Sequence, residues 1–347
     1  MVCLCTCVAV VFVCGGATCA SRRSTIPEFN PPPIFTTGTP TLTELINQTN
    51  RSMAIQSLSS NSLTINSPEL AYKLNGNFSW QRPHNLRLET KLFSSALGTP
   101  LAAGSNSELF WLVAQRPTPT IFYANHNEFE GQQGPRHVLP ISPLWLREAI
   151  GIIEMDPNGR HEQPIVRPDG KMQVVSYIES PRGEYKRVMI MDPITSTIEQ
   201  TSLYDHNGKL IASAKLSDHE YYSAIDWSLP HKIQVQLQPD VGEPLSFTMD
   251  VAYYSFNEAK TSADAYAFPD TTGLSAVDLV RANANLQQPA LPTEIQIESP
   301  SHSNPQYSTP QTSQPPSTRG GLIASPPVYR TASSQNLDSQ WQKYLVR

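Results

Sequence analysis

The sequence contains little charge and, after residue 19, no cysteine. Lys, Arg, Asp and Glu make up 16 % of the 347 residues, against about 25 % in ordinary soluble domains. The pI of about 5.9 excludes a basic nucleic-acid-binding protein. Since all five cysteines lie at residues 3–19, the rest of the chain can form neither disulfides nor thiol-based active sites. After residue 20 no apolar run reaches the roughly 18 residues of a membrane-spanning helix, which excludes a polytopic membrane protein.

Sequence motifs for catalysis or for cofactor binding are also missing. There is no Gly-rich phosphate loop, no Gly-x-Ser-x-Gly and no His-Glu-x-x-His. The densest titratable clusters, His161-Glu162 and Asp218-His219-Glu220, adjoin loop-like sequence, and Asp264 and Asp270 lack a spacing typical of acid–base catalysis. We therefore predict no enzymatic activity, no cofactor and no metal site. An enzyme would need convergent carboxylates or histidines in a polar cleft.

The first twenty residues resemble an export signal. The apolar run Val8–Val13 is followed by small residues, as in a secretory signal peptide. Either an ordinary signal peptidase cleaves near Thr18-Cys19-Ala20, or Cys19 is the lipid-modified cysteine of a bacterial lipoprotein, with Cys14 as the weaker second choice. We expect an exported protein of the bacterial cell envelope, on the periplasmic side. Lipidation at Cys19 would anchor it to a membrane, for example the outer membrane.

Proline is abundant, with 31 residues, and it divides the chain into segments. Residues 21–40 are proline-rich, which is typical of a semi-rigid linker. Residues 285–347 are rich in Pro, Ser and Gln with few large apolar residues, so we predict a disordered tail. Residues 41–284 remain as one domain.

Within this domain the hydrophobic pattern predicts a helix followed by many strands. Leu42 to Ile55 follow a helical period, with Thr41 or Thr43 as N-cap. From Leu70 onward apolar and polar residues alternate, most regularly in Ile233–Leu237, and Asn207-Gly208 is a strong hairpin signal. About nine to eleven strands joined by short turns predict one large, curved antiparallel sheet.

A second helix is predicted over residues 143–153. Ser142 is a suitable N-cap and Pro143 a suitable first residue. Its apolar side can cover the concave face of the sheet, which must be shielded from water. The predicted fold class is α+β, with an N-terminal helix and this lid helix on the concave face.

One hairpin resembles a known superfamily. Gly76–Pro83 followed by Leu86-Arg87-Leu88 resembles the G-x-aromatic-x-x-x-R-P hairpin of the LolA/LolB-like lipoprotein carriers, and Ser105–Trp111 is similar to their next turn without its Asp-Gly. The resemblance implies an incomplete, half-open β-barrel with a helical lid over a cavity for acyl chains. It also implies that Arg82 is the latch that tethers the lid. Alternatively, Arg82 is a surface residue before a turn proline.

The resemblance implies a lipid or a lipoprotein acyl chain as the partner and no nucleic acid. The candidate residues of the apolar cavity and lid are Leu74, Phe78, Trp80, Leu88, Trp111, Trp145, Ala149 and Ile152. The aromatic members fit an ordinary hydrophobic core better than a specific ligand site. The alternative function is therefore a non-transporting structural or interaction module of the envelope, with the cavity filled by side chains.

Overall fold

The computed structural model describes residues 30–36, 39–68, 72–91, 101–114, 118–258 and 262–287. The predicted signal with Cys19 and nearly all of the predicted tail lie outside these residues, so the domain boundaries stay predictions. Part of the predicted linker is described, and it contacts the body. The backbone N–H groups of Ile34 and Phe35 both donate to the carbonyl oxygen of Ile194, at 2.8 and 3.0 Å.

The described residues form one sheet of fifteen strands. In chain order these are β1 (Ser57–Asn66), β2 (Leu74–Gln81), β3 (Asn85–Lys91), β4 (Leu101–Ser105), β5 (Leu109–Ala114), β6 (Thr120–Asn125), β7 (Ile165–Val166), β8 (Met172–Ile178), β9 (Tyr185–Met191), β10 (Ile198–Tyr204), β11 (Leu210–Tyr222), β12 (Trp227–Leu237), β13 (Leu245–Val251), β14 (Ser255–Phe256) and β15 (Ser275–Asp278).

Two antiparallel meanders make up this sheet. Strands β1 to β6 form one and β7 to β13 the other, and they join where β1 pairs with β13. Strand β15 adds to β6 in parallel, and β14 pairs with β1. The strand order runs from β15 to β7 without closing, which confirms the predicted α+β fold with a half-open sheet. The strand number exceeds the prediction. The two-residue strands β7 and β14 are too short to show alternation, and the sequence pattern also missed β1, which precedes Leu70, and the short strands β4 and β15.

In the longer strands, the period-two pattern places one face in the core. In β12, Ile233 and Val235 are buried while Gln234 and Gln236 are exposed. The predicted hairpin at 205–208 joins β10 and β11, with Gly208 at φ +79° and its N–H donating to the carbonyl oxygen of Asp205 at 2.9 Å. A positive φ there is why the turn needs glycine.

The N-terminal helix α1 (Leu42–Thr49) begins at a capping box. The N–H of Glu44 donates to Thr41 Oγ1 at 3.3 Å, and the N–H of Thr41 donates to Glu44 Oε2 at 2.8 Å. Of the two predicted caps Thr41 is therefore the actual one. The helix buries Leu45 and Ile46 and continues as a 3₁₀ turn, Asn50–Ala54.

Three further helices are short. Helix α2 (His126–Gly131) follows β6, and helix α4 (Leu279–Gln287) follows β15. Helix α3 (Leu146–Ala149) continues a 3₁₀ turn, Pro143–Trp145. A last 3₁₀ turn spans Ala263–Tyr266.

The predicted lid helix begins as expected but ends early. Ser142 Oγ accepts the N–H of Leu144 at 3.3 Å, as predicted for the N-cap. The helix was predicted to reach Ile153, which is wrong, because α3 ends at Ala149. Gly151 adopts φ +84°, and the N–H groups of Gly151 and Ile152 donate to the carbonyls of Glu148 and Arg147. This is a Schellman motif, which stops a helix. We call residues 142–155 the lid segment.

An acid–base cluster fixes the loop between α2 and the lid segment. Asp240 Oδ2 accepts the backbone N–H of Arg136 at 2.9 Å and lies 3.4 Å from Arg182 Nη2, while Lys209 Nζ donates to Asp240 Oδ1 at 3.2 Å. We call this the Asp240 cluster. Burial raises the pKa of Asp240, but these hydrogen bonds and charges outweigh it, so the pKa lies below its usual value.

Candidate functional site

The main core lies between the concave face of the sheet and the lid segment. Seven of the eight candidate cavity residues belong to this one cluster, each at most 7 % exposed, namely Leu74, Phe78, Trp80, Leu88, Trp145, Ala149 and Ile152. Strands β2 and β3 contribute the first four, and the lid segment contributes the others. The structure therefore brings these seven together.

Trp111 is not brought to the others. It lies in a separate cluster with Val113 and Ile121. Its indole covers Gly104 of the neighbouring strand, where an added Cβ would lie 2.2 Å from Trp111 Cζ2. It also packs edge-on against Phe268, with 5.5 Å between ring centroids. The next residue, Leu112, packs against the main core, so Trp111 points to the opposite face of the sheet.

The concave face is filled with lid side chains. Leu146 is 9 % exposed, and Ile150, Ile152 and Ile153 are at most 1 % exposed. These side chains are packed as tightly as those of an ordinary hydrophobic core. The structure therefore has the lid segment closed over the sheet.

The end of the lid segment is attached to the 3₁₀ turn after α1. Ser52 Oγ donates to the carbonyl oxygen of Ile153 at 2.8 Å. The Asn50 side chain forms two hydrogen bonds with the backbone of Met155, one to its N–H and one to its carbonyl, both 2.8 Å. These bonds satisfy backbone groups that the segment, which is neither helix nor strand here, cannot pair internally.

Arg82, the predicted latch, contacts the lid segment at a single residue. Its Nε donates to the carbonyl oxygen of Ile55 at 3.1 Å, and its Nη1 lies 3.4 Å from Glu154 Oε2. The contact is thus with the carboxylate of a lid residue. The Arg82 side chain is 17 % exposed, so it is not an ordinary surface residue. Burial lowers the pKa of Arg82, the nearby Arg147 lowers it further, and Glu154 opposes both.

A second arginine, Arg187 in β9, holds the lid segment more extensively. Its Nη1 donates to Glu148 Oε1 at 3.2 Å, and its Nη2 donates to the carbonyl oxygen of Glu154 at 2.9 Å. The side chains of Arg187 and Glu148 are 4 % and 14 % exposed. Arg187 was not predicted from the sequence, although a signal existed. It occupies a core-facing position between Tyr185 and Met189, where a charged residue needs a partner.

The other titratable clusters lie elsewhere. His161 forms hydrogen bonds to Ser176 Oγ at 3.0 Å and to a backbone carbonyl oxygen. Asp218 and His219 line a polar groove of about 620 Å³ together with Lys215. Leu216, the residue after Lys215, belongs to the main core, so Lys215 points away from that core. Burial lowers the pKa of His219. In the part of the chain that the structure describes, no group of three or more His, Cys, Asp or Glu residues could hold a metal ion.

None of the helices in the described residues is long and apolar enough to cross a membrane.

No protein-family model matches the sequence, and no curated protein matches it. Solved structures do match. A domain assigned to outer membrane lipoprotein sorting, from Vibrio parahaemolyticus, is 11 % identical over 64 % of this chain and 94 % of its own, with a TM-score of 0.42. A LolA superfamily protein from Nitrosomonas europaea is 10 % identical over 66 % of this chain and 98 % of its own, with a TM-score of 0.40.

A DUF1329 family protein from Desulfovibrio piger is also similar, at 10 % identity over 65 % of this chain and 97 % of its own, with a TM-score of 0.42. The second of these three proteins carries the name of the superfamily that the hairpin at residues 76–88 resembles. At such identities the likeness concerns the fold alone.

Proposed function

We propose that the protein binds a lipid or a lipoprotein acyl chain on the apolar concave face, with the lid segment as the gate. The observation that carries this proposal is the construction of the lid. It covers an apolar face with apolar side chains and is attached at its end by a few polar contacts, chiefly with Asn50, Ser52 and Arg187. An acyl chain gains about 0.8 kcal/mol per buried methylene, so it can replace the lid without polar contacts along its length.

The test is displacement of a fluorescent apolar probe from the purified full chain by lipids, together with mass spectrometry of co-purifying lipid. Weakening the lid attachment through Asn50→Ala and Ser52→Ala should tighten probe binding, because less free energy is then needed to open the lid. Ser180→Ala, whose hydroxyl is exposed and bonds within a turn, is the matched control and should bind as the unmodified chain does.

The second candidate function is the structural or interaction module of the envelope. The filled concave face, with Ile152 and Ile153 fully buried, favours it. If neither the unmodified chain nor the lid-weakened variants bind the probe or carry lipid, the binding proposal is wrong and this function replaces it.

We also propose that the chain is exported to the bacterial cell envelope and lipidated at Cys19. The proposal depends on the sequence pattern of residues 1–20, which lie outside the described residues. Cells grown with a labelled fatty-acid analogue should incorporate label into the protein. Cys19→Ala should abolish the labelling, while Cys14→Ala, the matched control, should leave it. Label that persists in the Cys19→Ala protein would contradict the assignment.

A further inference from the structure

Arg187 is a buried cation in a largely apolar part of the concave face. On its own strand it lies between Tyr185 and Met189, and across the sheet it pairs with Leu203 on one side and with Ser176 on the other. Tyr185, Met189 and Leu203 are at most 8 % exposed and belong to the main core, and the Ser176 hydroxyl is hydrogen-bonded to His161. A guanidinium in such surroundings is stable only with a counter-charge, because an unpaired buried ion costs several kcal/mol.

The carboxylates that pair with the cations of the concave face lie on the lid segment. The sheet side contributes Arg82 and Arg187, and the lid segment contributes Arg147, Glu148 and Glu154. Both sheet arginines meet Glu154, one at its carboxylate and the other at its carbonyl oxygen. When the lid moves away, its two carboxylates leave with it. The described contacts then leave two guanidinium groups on the sheet without an acidic partner.

Hydrogen-bonding capacity is also left over in this cluster. Arg187 Nε and Arg82 Nη2 are buried without a hydrogen-bond partner, and so is Glu148 Oε2. A guanidinium can donate two parallel hydrogen bonds to a carboxylate or a phosphate. Arg187 forms only one such bond with Glu148, so a suitably placed anion could accept two hydrogen bonds from it.

We propose that the ligand is an anionic amphiphile, whose carboxylate or phosphate head group takes the place of Glu148 on Arg187. The proposal rests on the proposed function, since the chain of this amphiphile would lie on the apolar face. A neutral head group, such as an alcohol or an ester, leaves Arg187 without a counter-charge when the lid is open. Neutral chains therefore bind more weakly, by the free energy that is needed to leave this cation unpaired.

The experiment compares ligands that share one chain and differ in the head group. Dodecanoate, dodecyl phosphate, dodecanol and methyl dodecanoate each displace the fluorescent probe from the full chain at pH 8. We expect the two anionic ligands to bind about ten- to a hundredfold more tightly than the two neutral ones, as for hydrogen bonds to a charged group. Inorganic phosphate without a chain should not displace the probe at the same concentrations, which separates the amphiphile from a free anion.

Variants at Arg187 assign the preference to this side chain. Arg187→Met should bring the anionic-to-neutral affinity ratio close to one while neutral ligands still bind, and Arg187→Lys should retain part of the ratio. Arg281→Gln is the control, because Arg281 is 80 % exposed and far from this cluster in the chain. The double variant Glu148→Leu/Arg187→Met lacks both charges, and we expect its anionic-to-neutral affinity ratio to be near one as well. This measurement does not depend on the stability of the single variants.

The outcomes separate the two proposals. If the unmodified chain binds all four ligands equally, or if Arg187→Met keeps the ratio, the head-group proposal is overturned while lipid binding stands. If no twelve-carbon ligand displaces the probe, lipid binding itself is refuted and the head-group proposal with it.

Discussion

Removal of one or both partners of the Arg187–Glu148 ion pair tests whether the lid segment is closed over a buried charge. Glu148→Leu keeps a good helix former in α3 but leaves the guanidinium, 4 % exposed, with the Glu154 carbonyl oxygen as its acceptor. Removing one partner of a buried ion pair costs about 3–5 kcal/mol. We expect the free energy of unfolding to fall by an amount in that range.

The reverse substitution should cost less. Arg187→Met leaves Glu148, whose side chain is 14 % exposed and lies 4.0 Å from Arg147, so water and a second cation compensate its charge. We expect a loss of about 1–2 kcal/mol. The double variant places two apolar side chains in contact and should lie within about 1 kcal/mol of the unmodified chain.

Stability to urea is measured for all four proteins on the full chain. The double-mutant cycle then gives the coupling, which we expect to be at least about 3 kcal/mol. The pair Arg160–Glu184 is the matched control. It joins the segment before β7 to the residue preceding β9 and is 61 % and 32 % exposed, so its coupling should stay below about 1 kcal/mol. Equal couplings for the two pairs, or a Glu148→Leu cost under 1 kcal/mol, would refute the closed lid over a buried charge.

Three further predictions concern the fold around the site. Asn50→Ala removes both hydrogen bonds to the Met155 backbone and should lower the free energy of unfolding by about 1–3 kcal/mol. The resulting increase in the rate of amide hydrogen exchange should be larger in the lid segment than in β12. Gly76→Ala should lower the melting temperature by several degrees or more, because its Cβ would lie 2.4 Å from the carbonyl oxygen of Glu89. The pKa of Asp240 is lowered in the folded protein, so its stabilisation is complete above the unfolded pKa near 4 and is lost as the pH falls through the folded pKa. Asp240→Asn should therefore reduce stability at pH 7 by about 1–2 kcal/mol and by less at pH 3, measured by thermal unfolding at both pH values.

The features that could be predicted from the sequence are those that local pattern determines. Alternation in Ile233–Leu237 predicts a strand with one buried face, and Asn207-Gly208 predicts the hairpin between β10 and β11, because both depend on neighbouring residues only. The N-cap at Ser142 was predicted for the same reason. The end of that helix was predicted wrongly because apolar periodicity continues through Ile153, while Gly151 ends the helix by its positive φ.

Other features depend on contacts between distant segments. Phe110 and Trp111 are adjacent and both buried, so hydrophobicity alone cannot tell which face of the sheet each of them occupies. The second face is covered by Phe268 and its neighbours, about 150 residues further along the chain. Arg187 was recognisable as a charge on a core-facing position, but its partner Glu148 lies on the lid segment, and only the folded structure brings the two together.

Whether an acyl chain can displace the lid depends on how its burial free energy compares with that of the lid side chains. Five large apolar side chains of the lid segment are at most 9 % exposed, namely Trp145, Leu146, Ile150, Ile152 and Ile153. At about 1.5–3 kcal/mol each, their burial contributes roughly 7–15 kcal/mol. A twelve-carbon chain contributes about 10 kcal/mol at 0.8 kcal/mol per methylene, so the two occupants of the concave face are nearly balanced. The polar contacts at Asn50, Ser52 and Arg187 then decide between lid and ligand, because each contributes on the order of 1 kcal/mol or more. A head group that replaces the Glu148 contact therefore shifts the balance in favour of the ligand, whereas a neutral chain must open the lid against these contacts unaided.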